Sequence, residues 1–115
     1  MNESGGYPCI ELILTIGTWD IDAFANLDTG FDGGLLIPIG VGRQILASPD
    51  EITLRLPDNS YVKADSWDGT IEIEGRGFRA EVAAIGSRFL LGREVLDKMG
   101  VCFEFGQEVT IRFRD

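Results

Sequence analysis

The chain has no histidine and only two cysteines, Cys9 and Cys102, in 115 residues. Zinc sites take Cys and His ligands at short, regular spacings, so we expect no metal and no other cofactor. The two thiols are typical of small buried side chains in a reducing compartment, which favours a cytoplasmic protein. A disulfide between the N- and C-terminal strands is the alternative.

Basic residues are also scarce, with 10 Lys and Arg against 19 Asp and Glu, which gives a net charge of -9. Nucleic acids and anionic membranes are bound through clustered Lys and Arg, and here these residues are scattered. No apolar run approaches the ~20 residues of a membrane span. The segment 1–4 lacks the basic region of a signal peptide. We therefore expect neither nucleic acid nor membrane as a partner.

The pattern of apolar residues is that of a β protein. A hydrophobic content of 44% and 15 glycines fit one turn-rich domain over residues 1–115. Apolar residues alternate with polar ones, the period of half-buried strands, over 10–16, 19–24, 52–56, 61–64, 71–73, 78–84, 101–105 and 109–113. Turns are predicted at 17–18, 57–60, 75–77 and 106–107.

Helix is predicted in only two places. Over 93–99, Val95, Leu96 and Met99 fall on one side, and Gly100 is a suitable C-terminal stop. A turn or two of helix is predicted over 41–47, before Pro49. The sequence thus predicts an all-β fold with one short C-terminal helix.

One carboxylate lies between two apolar segments. Asp28, Thr29 and Gly30 follow the apolar run 23–27 and precede another at 35–37. Burying an ionisable group is costly, so this Asp needs either a partner or a chemical role. A later apolar strand, 89–91, ends at Gly92 and is expected to pass behind the Asp28 turn. An ordinary β-turn is the alternative interpretation.

These two elements, in this order, resemble the retropepsin-like aspartic proteases. The match runs over about 21–38 and 83–105, and 97–105 is similar to the way retroviral proteases leave their helix and enter the final strand. The resemblance implies a closed β-barrel, the acid-protease half-fold, assembled into a two-fold symmetric homodimer. It also implies that Asp28, Thr29 and Gly30 form the catalytic loop.

Peptide hydrolysis by this class needs two carboxylates facing one water, one as base and one as acid. This chain has one such motif, so a second copy is expected to supply the second Asp28. Two ionised carboxylates ~4 Å apart repel by roughly 4 kcal/mol at an effective dielectric near 20, so the pair should share one proton. The resemblance implies that Thr29 bonds across the dimer axis, and Gly30 allows close backbone approach.

The family also has an acid two residues after its motif Gly and an Arg directly after its second Gly. Here these residues are Asp32 and Arg93. A partly buried, bidentate ion pair between them would fix the substrate-binding loop to the helix, with Leu91 and Gly92 as structural support. Two unrelated surface charges are the alternative.

The hairpin 52–64 occupies the place of the flap, the hairpin that closes over substrate in these enzymes. Its tip, Asp58, Asn59 and Ser60, is similar to the Asp-Gly-Ser tips of bacterial relatives, with Asn59 in the place of the glycine. A plain surface hairpin is the alternative.

Three further residues, Phe31, Arg88 and Leu90, align with family positions that line side-chain pockets. They suggest extended peptide substrates with apolar residues beside the scissile bond. Ordinary packing is the alternative for each.

The expected protein is a cytoplasmic aspartic endopeptidase, active on peptides as a homodimer. Its rival is a catalytically silent retropepsin-fold module for dimerisation or peptide binding. The tail 106–115 extends past the point where retroviral proteases end, so the dimer interface is expected to be built differently.

Overall fold

A computed structural model describes residues 2–4, 7–55, 58–99, 101–104 and 108–111, and the side chains of residues 9–55 and 58–99. Strands and two short helices alternate along this part of the chain. In order they are β1 (Asn2–Ser4), β2 (Tyr7–Ile16), β3 (Trp19–Leu27), β4 (Leu35–Ile37), α1 (Ile39–Gly42), β5 (Asp50–Arg55), β6 (Tyr61–Ile73), β7 (Arg76–Ala84), β8 (Leu90–Leu91), α2 (Arg93–Met99), β9 (Val101–Glu104) and β10 (Glu108–Ile111).

Eight of the strands form one sheet that closes on itself. The strand order is β1-β2-β3-β8-β4-β7-β6-β5, and β2 also pairs with β6 through Ile13↔Glu72 and its neighbours. This extra pairing joins β2, β3, β8, β4, β7 and β6 into a ring. The predicted all-β fold with a closed barrel is therefore confirmed. Strands β9 and β10 form a separate antiparallel pair.

The inner face of the ring is the apolar face that the alternation predicts. All four members of the predicted β2 face, Ile10, Leu12, Leu14 and Ile16, are buried. The core also contains Leu35, Ile37, Ile71, Ile73, Phe78, Val82, Leu91, Val95 and Met99. Residues two apart on a strand share a face, so burial of one of these apolar side chains turns the others on its face towards the core as well.

Helix α2 begins and ends at the predicted residues, and its predicted apolar side, Val95, Leu96 and Met99, is buried. The other helix lies earlier than the predicted 41–47, because α1 covers Ile39–Gly42 and turn hydrogen bonds continue it only to Ile45. Pro38 precedes it with φ -57°, a backbone angle that proline fixes and that leads into a helix. Among the described residues no helix is long and apolar enough to cross a bilayer.

Three further differences concern the strands of the large sheet. The two short strands predicted at 61–64 and 71–73 are parts of the single strand β6. The turn after it lies at Glu74 and Gly75, with φ of 51° and 81°, and not at 75–77, because a two-residue hairpin turn needs positive φ at both central positions. Strand β1, which pairs with β2, was not predicted.

The remaining turns agree with the prediction where they are described. Gly17 has φ 61° and begins the two-residue turn that joins β2 to β3. The predicted turn at 106–107 and the strand ends at 105 and 113 lie outside the described residues. The side chain of Cys102 also lies outside the described residues, so a disulfide between it and the buried Cys9 stays an untested alternative.

Candidate active site

Asp28 directly follows β3 and is half-buried. Its backbone N–H donates to the carbonyl of Leu91 at 2.9 Å, and the N–H of Asn26 donates to the carbonyl of Phe89 at 2.9 Å. These bonds hold the end of β3 against β8. The position of the aspartate is thus set by a strand that lies much later in the sequence.

Strand β8 lies between the two strands that flank the Asp28 loop. It is parallel to β3, with Leu27 opposite Leu91, and antiparallel to β4, with Leu35 opposite Leu91. Both Leu35 and Leu91 are fully buried. The expectation that the later apolar strand passes behind the Asp28 turn is confirmed.

The loop itself is closed by a local hydrogen bond. The backbone N–H of Gly30 donates to Asp28 Oδ1 at 2.9 Å, and the N–H of Phe31 donates to the carbonyl of Asp28 at 3.2 Å. An Asp side chain often accepts from the backbone two residues later, which forms an Asx turn. One carboxylate oxygen is thereby fixed in direction. The side chain of Thr29 is exposed.

The start of α2 is fixed on the Asp28 loop by three backbone hydrogen bonds. Gly92 donates to Gly34 at 2.8 Å, Arg93 to Phe31 at 2.8 Å and Glu94 to Gly33 at 3.2 Å. The first N–H groups of a helix have no partner within the helix, and here the loop carbonyls supply one. The loop and the helix therefore stabilise each other.

Two glycines allow close backbone packing here, Gly92 against the Asp28 loop and Gly34 against β7. A Cβ on Gly92 would lie 2.2 Å from the Gly33 carbonyl oxygen and 2.8 Å from that of Phe31. A Cβ on Gly34 would lie 2.5 Å from the carbonyl oxygen of Glu81. Backbone atoms cannot move aside as a side chain can, so these positions require glycine.

Asp32 and Arg93 lie near each other, but not as a partly buried, bidentate pair. One nitrogen, Arg93 Nη1, lies 3.7 Å from Asp32 Oδ1, and the side chains are 52% and 92% exposed. Arg93 Nη2 also lies 3.8 Å from Asp97 Oδ2. The backbone N–H of Arg93 already holds the loop through the carbonyl of Phe31, and the guanidinium extends towards solvent between the two acids.

The tip of the hairpin formed by β5 and β6 is held by its own hydrogen bonds. The N–H and hydroxyl of Ser60 donate to Asp58 Oδ1 at 2.9 and 2.5 Å, and the Arg55 guanidinium donates to Asn59 Oδ1. Asn59 has φ 67°, a conformation that favours glycine and that Asn tolerates. Asn59 therefore does adopt the backbone conformation expected of a glycine position.

The charge of Asp58 is stabilised at this tip. The hydroxyl and then the backbone N–H of Ser60 lower the pKa of the Asp58 carboxyl from its ordinary value of 3.8. Hydrogen bonds donated to a carboxylate favour its ionised form. The tip thus carries a negative charge at its end.

The other predicted pocket residues lie at different depths. Phe31 is half-buried beside the Asp28 loop, Leu90 is half-buried on β8, and Arg88 is exposed before it. The structure therefore brings Asp28, Gly30 and Phe31 together with Leu91, Gly92 and Arg93. The roles of Phe31, Arg88, Leu90 and the tip residues in substrate binding stay predictions.

The structure is similar to that of the EIAV protease complexed with the inhibitor HBY-793. The TM-score is 0.61, and the likeness covers 84% of this chain and 91% of that chain at 20% sequence identity. The fold is retropepsin-like. No protein-family model and no curated protein matches the sequence.

Sequence reasoning missed three residues that the retropepsin-like fold uses here. Gly33 and Gly34 were not singled out, although two adjacent glycines after the motif were a signal of close backbone packing. Arg55 was also missed, because its bond to Asn59 depends on the register of the hairpin, which pairs Arg55 with Tyr61.

The chemistry available at this site is that of a carboxyl group. In the part of the chain described by the structure, no group of Cys, Asp and Glu side chains is arranged to hold a metal ion. Asp28 and Glu94 are both half-buried where the loop and α2 meet. Glu94 Oε1 accepts from the backbone N–H of Glu81 on β7 at 3.4 Å, and Asp32 lies at the exposed edge of the loop, so Asp28 is the half-buried carboxyl that the loop itself carries. A half-buried, oriented carboxylate can accept a proton from water and return it to a leaving group.

Proposed function

We propose that the protein is an aspartic endopeptidase that hydrolyses peptide bonds with a water activated by two Asp28 residues, one from each subunit of a homodimer. The observation that carries the proposal is the fixed Asp28 loop. Its backbone is bonded to Leu91 and its carboxylate to Gly30, in a fold similar to that of a retroviral protease.

The homodimer follows from the number of catalytic carboxyls. One loop supplies one Asp28, whereas the reaction needs a base and an acid at the same time. A two-fold axis beside the Asp28 loop would bring the Asp28 residues of both subunits face to face. Of the shared pair, the ionised Asp28 takes a proton from water as the oxygen attacks the peptide carbonyl. The protonated Asp28 gives its proton to the carbonyl oxygen, which forms a tetrahedral diol. As the C–N bond breaks, the first Asp28 passes the proton it took from water to the amine nitrogen, and the second takes back a proton from a hydroxyl of the diol, so that the pair again holds one proton.

The substrate in this proposal is an extended peptide held under the hairpin of β5 and β6. The inner side of that hairpin carries the half-buried side chains of Ile52, Leu54 and Val62, while Thr53 and Lys63 point outward and are exposed. An apolar inner side suits a peptide with apolar portions. The proposal includes a cytoplasmic location, which cell fractionation with an antibody would test.

Hydrolysis of a denatured protein mixture tests the proposal. We expect the purified chain to cut it, a statine-type transition-state mimic to stop the cutting, and Asp28→Asn to abolish it. The Asn oxygen can still accept from the N–H of Gly30, so the fold should remain. Asp22→Asn, at an exposed position on β3, the strand that leads to Asp28, is the matched control and should cut normally.

Two results would overturn the proposal. One is full cutting by a clean preparation of Asp28→Asn, which would require another nucleophile or base. The other is a stable dimer that binds peptides but cuts none of them, which would make it the silent module considered above.

A further inference from the structure

The aromatic ring of Phe31 lies on a floor made of two glycines. A Cβ placed on Gly33 would lie 2.5 Å from Phe31 Cζ, and one placed on Gly92 would lie 2.5 Å from Phe31 Cδ2. Real Cβ atoms do not approach carbon atoms so closely, because non-bonded carbons prefer about 3.5–4.0 Å. The ring therefore fills space that any other residue at either position would occupy.

The two glycines differ in what they make room for. At Gly92 the nearest atom to the added Cβ is a backbone oxygen. This glycine therefore allows close approach of the Asp28 loop to the start of α2, and it also leaves space for the ring. At Gly33 the three nearest atoms all belong to the Phe31 ring, at 2.5, 2.9 and 3.3 Å. The absence of a side chain at Gly33 thus serves the placement of this ring.

The backbone of Phe31 is held on both sides. Its N–H donates to the carbonyl of Asp28 at 3.2 Å, and its own carbonyl accepts from the N–H of Arg93 at 2.8 Å. The ring is half-buried, so one part contacts the floor and another faces solvent. A fixed apolar surface is thereby placed three residues from the carboxylate.

We propose that the Phe31 ring determines substrate specificity by filling the space beside Asp28, so that the residues flanking the scissile bond must have small side chains such as those of Gly, Ala or Ser. This inference rests on the proposed function and narrows its substrate class. Because the homodimer is symmetric, one ring lies on each side of the bond, and the restriction applies to both flanking residues. The ring cannot sink to admit a larger side chain, since the floor beneath it is backbone.

The test uses peptides that differ only in one residue beside the scissile bond, from Gly through Ala and Leu to Phe. We expect wild type to cut the small-residue peptides at least about tenfold better in kcat/KM, the discrimination typical of a pocket without room for added carbons. Phe31→Ala should instead cut the Leu and Phe peptides better than the small-residue peptides. The preference of Phe31→Leu should lie between those of wild type and Phe31→Ala. Phe24→Ala, which removes a ring 50% exposed on β3, is the matched control and should keep the wild-type preference.

Gly33→Ala tests the floor independently. The three atoms nearest to its added carbon all belong to the ring, so it should displace the ring and change the side-chain preference. The double variant Phe31→Ala/Gly33→Ala should have the same preference as Phe31→Ala alone, because there is no ring left to displace. Independent effects of the two substitutions would overturn the coupling of ring and floor.

The outcomes separate this inference from the proposed function. If wild type cuts the peptides and Phe31→Ala, folded by circular dichroism, keeps the wild-type preference, the specificity inference is wrong and the protease assignment stands. If nothing is cut, binding of statine-type peptides with the same side-chain series is measured by calorimetry. A size preference that Phe31→Ala relaxes supports the ring's role in binding alone. Equal binding across the series, or none, overturns it.

Discussion

Gly92 and Gly33 are in such close contact that a Cβ on Gly92 would lie 2.2 Å from the carbonyl oxygen of Gly33. The contact joins the start of α2 to the loop that carries Asp28. Three backbone hydrogen bonds join the same two segments. Its consequence is that the geometry of the carboxylate depends on a residue far away in the sequence.

Gly92→Ala should therefore lower the free energy of unfolding by about 1–3 kcal/mol, the usual cost of forcing extra atoms into a packed site. Urea denaturation at fixed chain concentration measures this. Gly40→Ala is the control, because nothing lies within 4 Å of a Cβ there. Equal stabilities of Gly92→Ala and wild type would show that the loops can separate without cost.

The Asp32 and Arg93 pair should contribute less than about 1 kcal/mol, because both side chains are more than half exposed and water screens such pairs. A double-mutant cycle with Asp32→Asn and Arg93→Gln measures the coupling. It should shrink in 1 M salt. A larger coupling that survives high salt would mean that assembly buries the pair.

The Asp58 carboxyl should titrate below 3.8 in folded protein, because Ser60 donates two hydrogen bonds to its ionised form. A carboxyl with a lowered folded pKa stabilises the folded tip above its unfolded pKa, and that contribution is lost as pH falls through the folded value. The side-chain carbon chemical shift of Asp58 follows the titration. Ser60→Ala should move the midpoint towards 3.8, whereas Ser48→Ala should not. An unchanged midpoint in Ser60→Ala would contradict the assignment.

Assembly should control activity if two chains share one site. Specific activity should fall on dilution in step with the loss of dimer mass in sedimentation. Excess Asp28→Asn mixed with wild type should poison cutting, because mixed dimers hold one aspartate. Excess Asp22→Asn, whose mixed dimers keep both catalytic aspartates, should not. A monomer that cuts at full rate would refute the shared site.

The sequence predicted those parts of the fold that depend on local pattern. Alternating apolar residues placed β2 and β7, and the spacing of Val95, Leu96 and Met99 placed α2, because the periods of strand and helix are visible in short stretches. The pairing of β1 with β2 and the continuity of β6 were missed. Both depend on partners elsewhere in the sheet, which local pattern does not contain.

The candidate site was predictable to a similar extent. Asp28 and the later strand ending at Gly92 were identified from their apolar flanks, and the crossing of the loops followed. The exposure of Arg93 and the floor under Phe31 were not predictable, because each depends on how loops distant in sequence pack. Gly33 is an example: the sequence contains the glycine, but local pattern does not indicate that the Phe31 ring packs against it.

The hydrogen bond from Asp28 to Leu91 also has a consequence for the order in which the protein folds. Contacts between residues far apart in the chain form slowly, because closing a long loop costs entropy before the contact repays it. A chain emerging from the ribosome exposes Asp28 several seconds before residues 89–94 emerge, at a synthesis rate of about 5–20 residues per second. We expect its loop to stay unformed until then, so under the proposed function a nascent chain would carry the carboxylate without the geometry needed to cut neighbouring polypeptides.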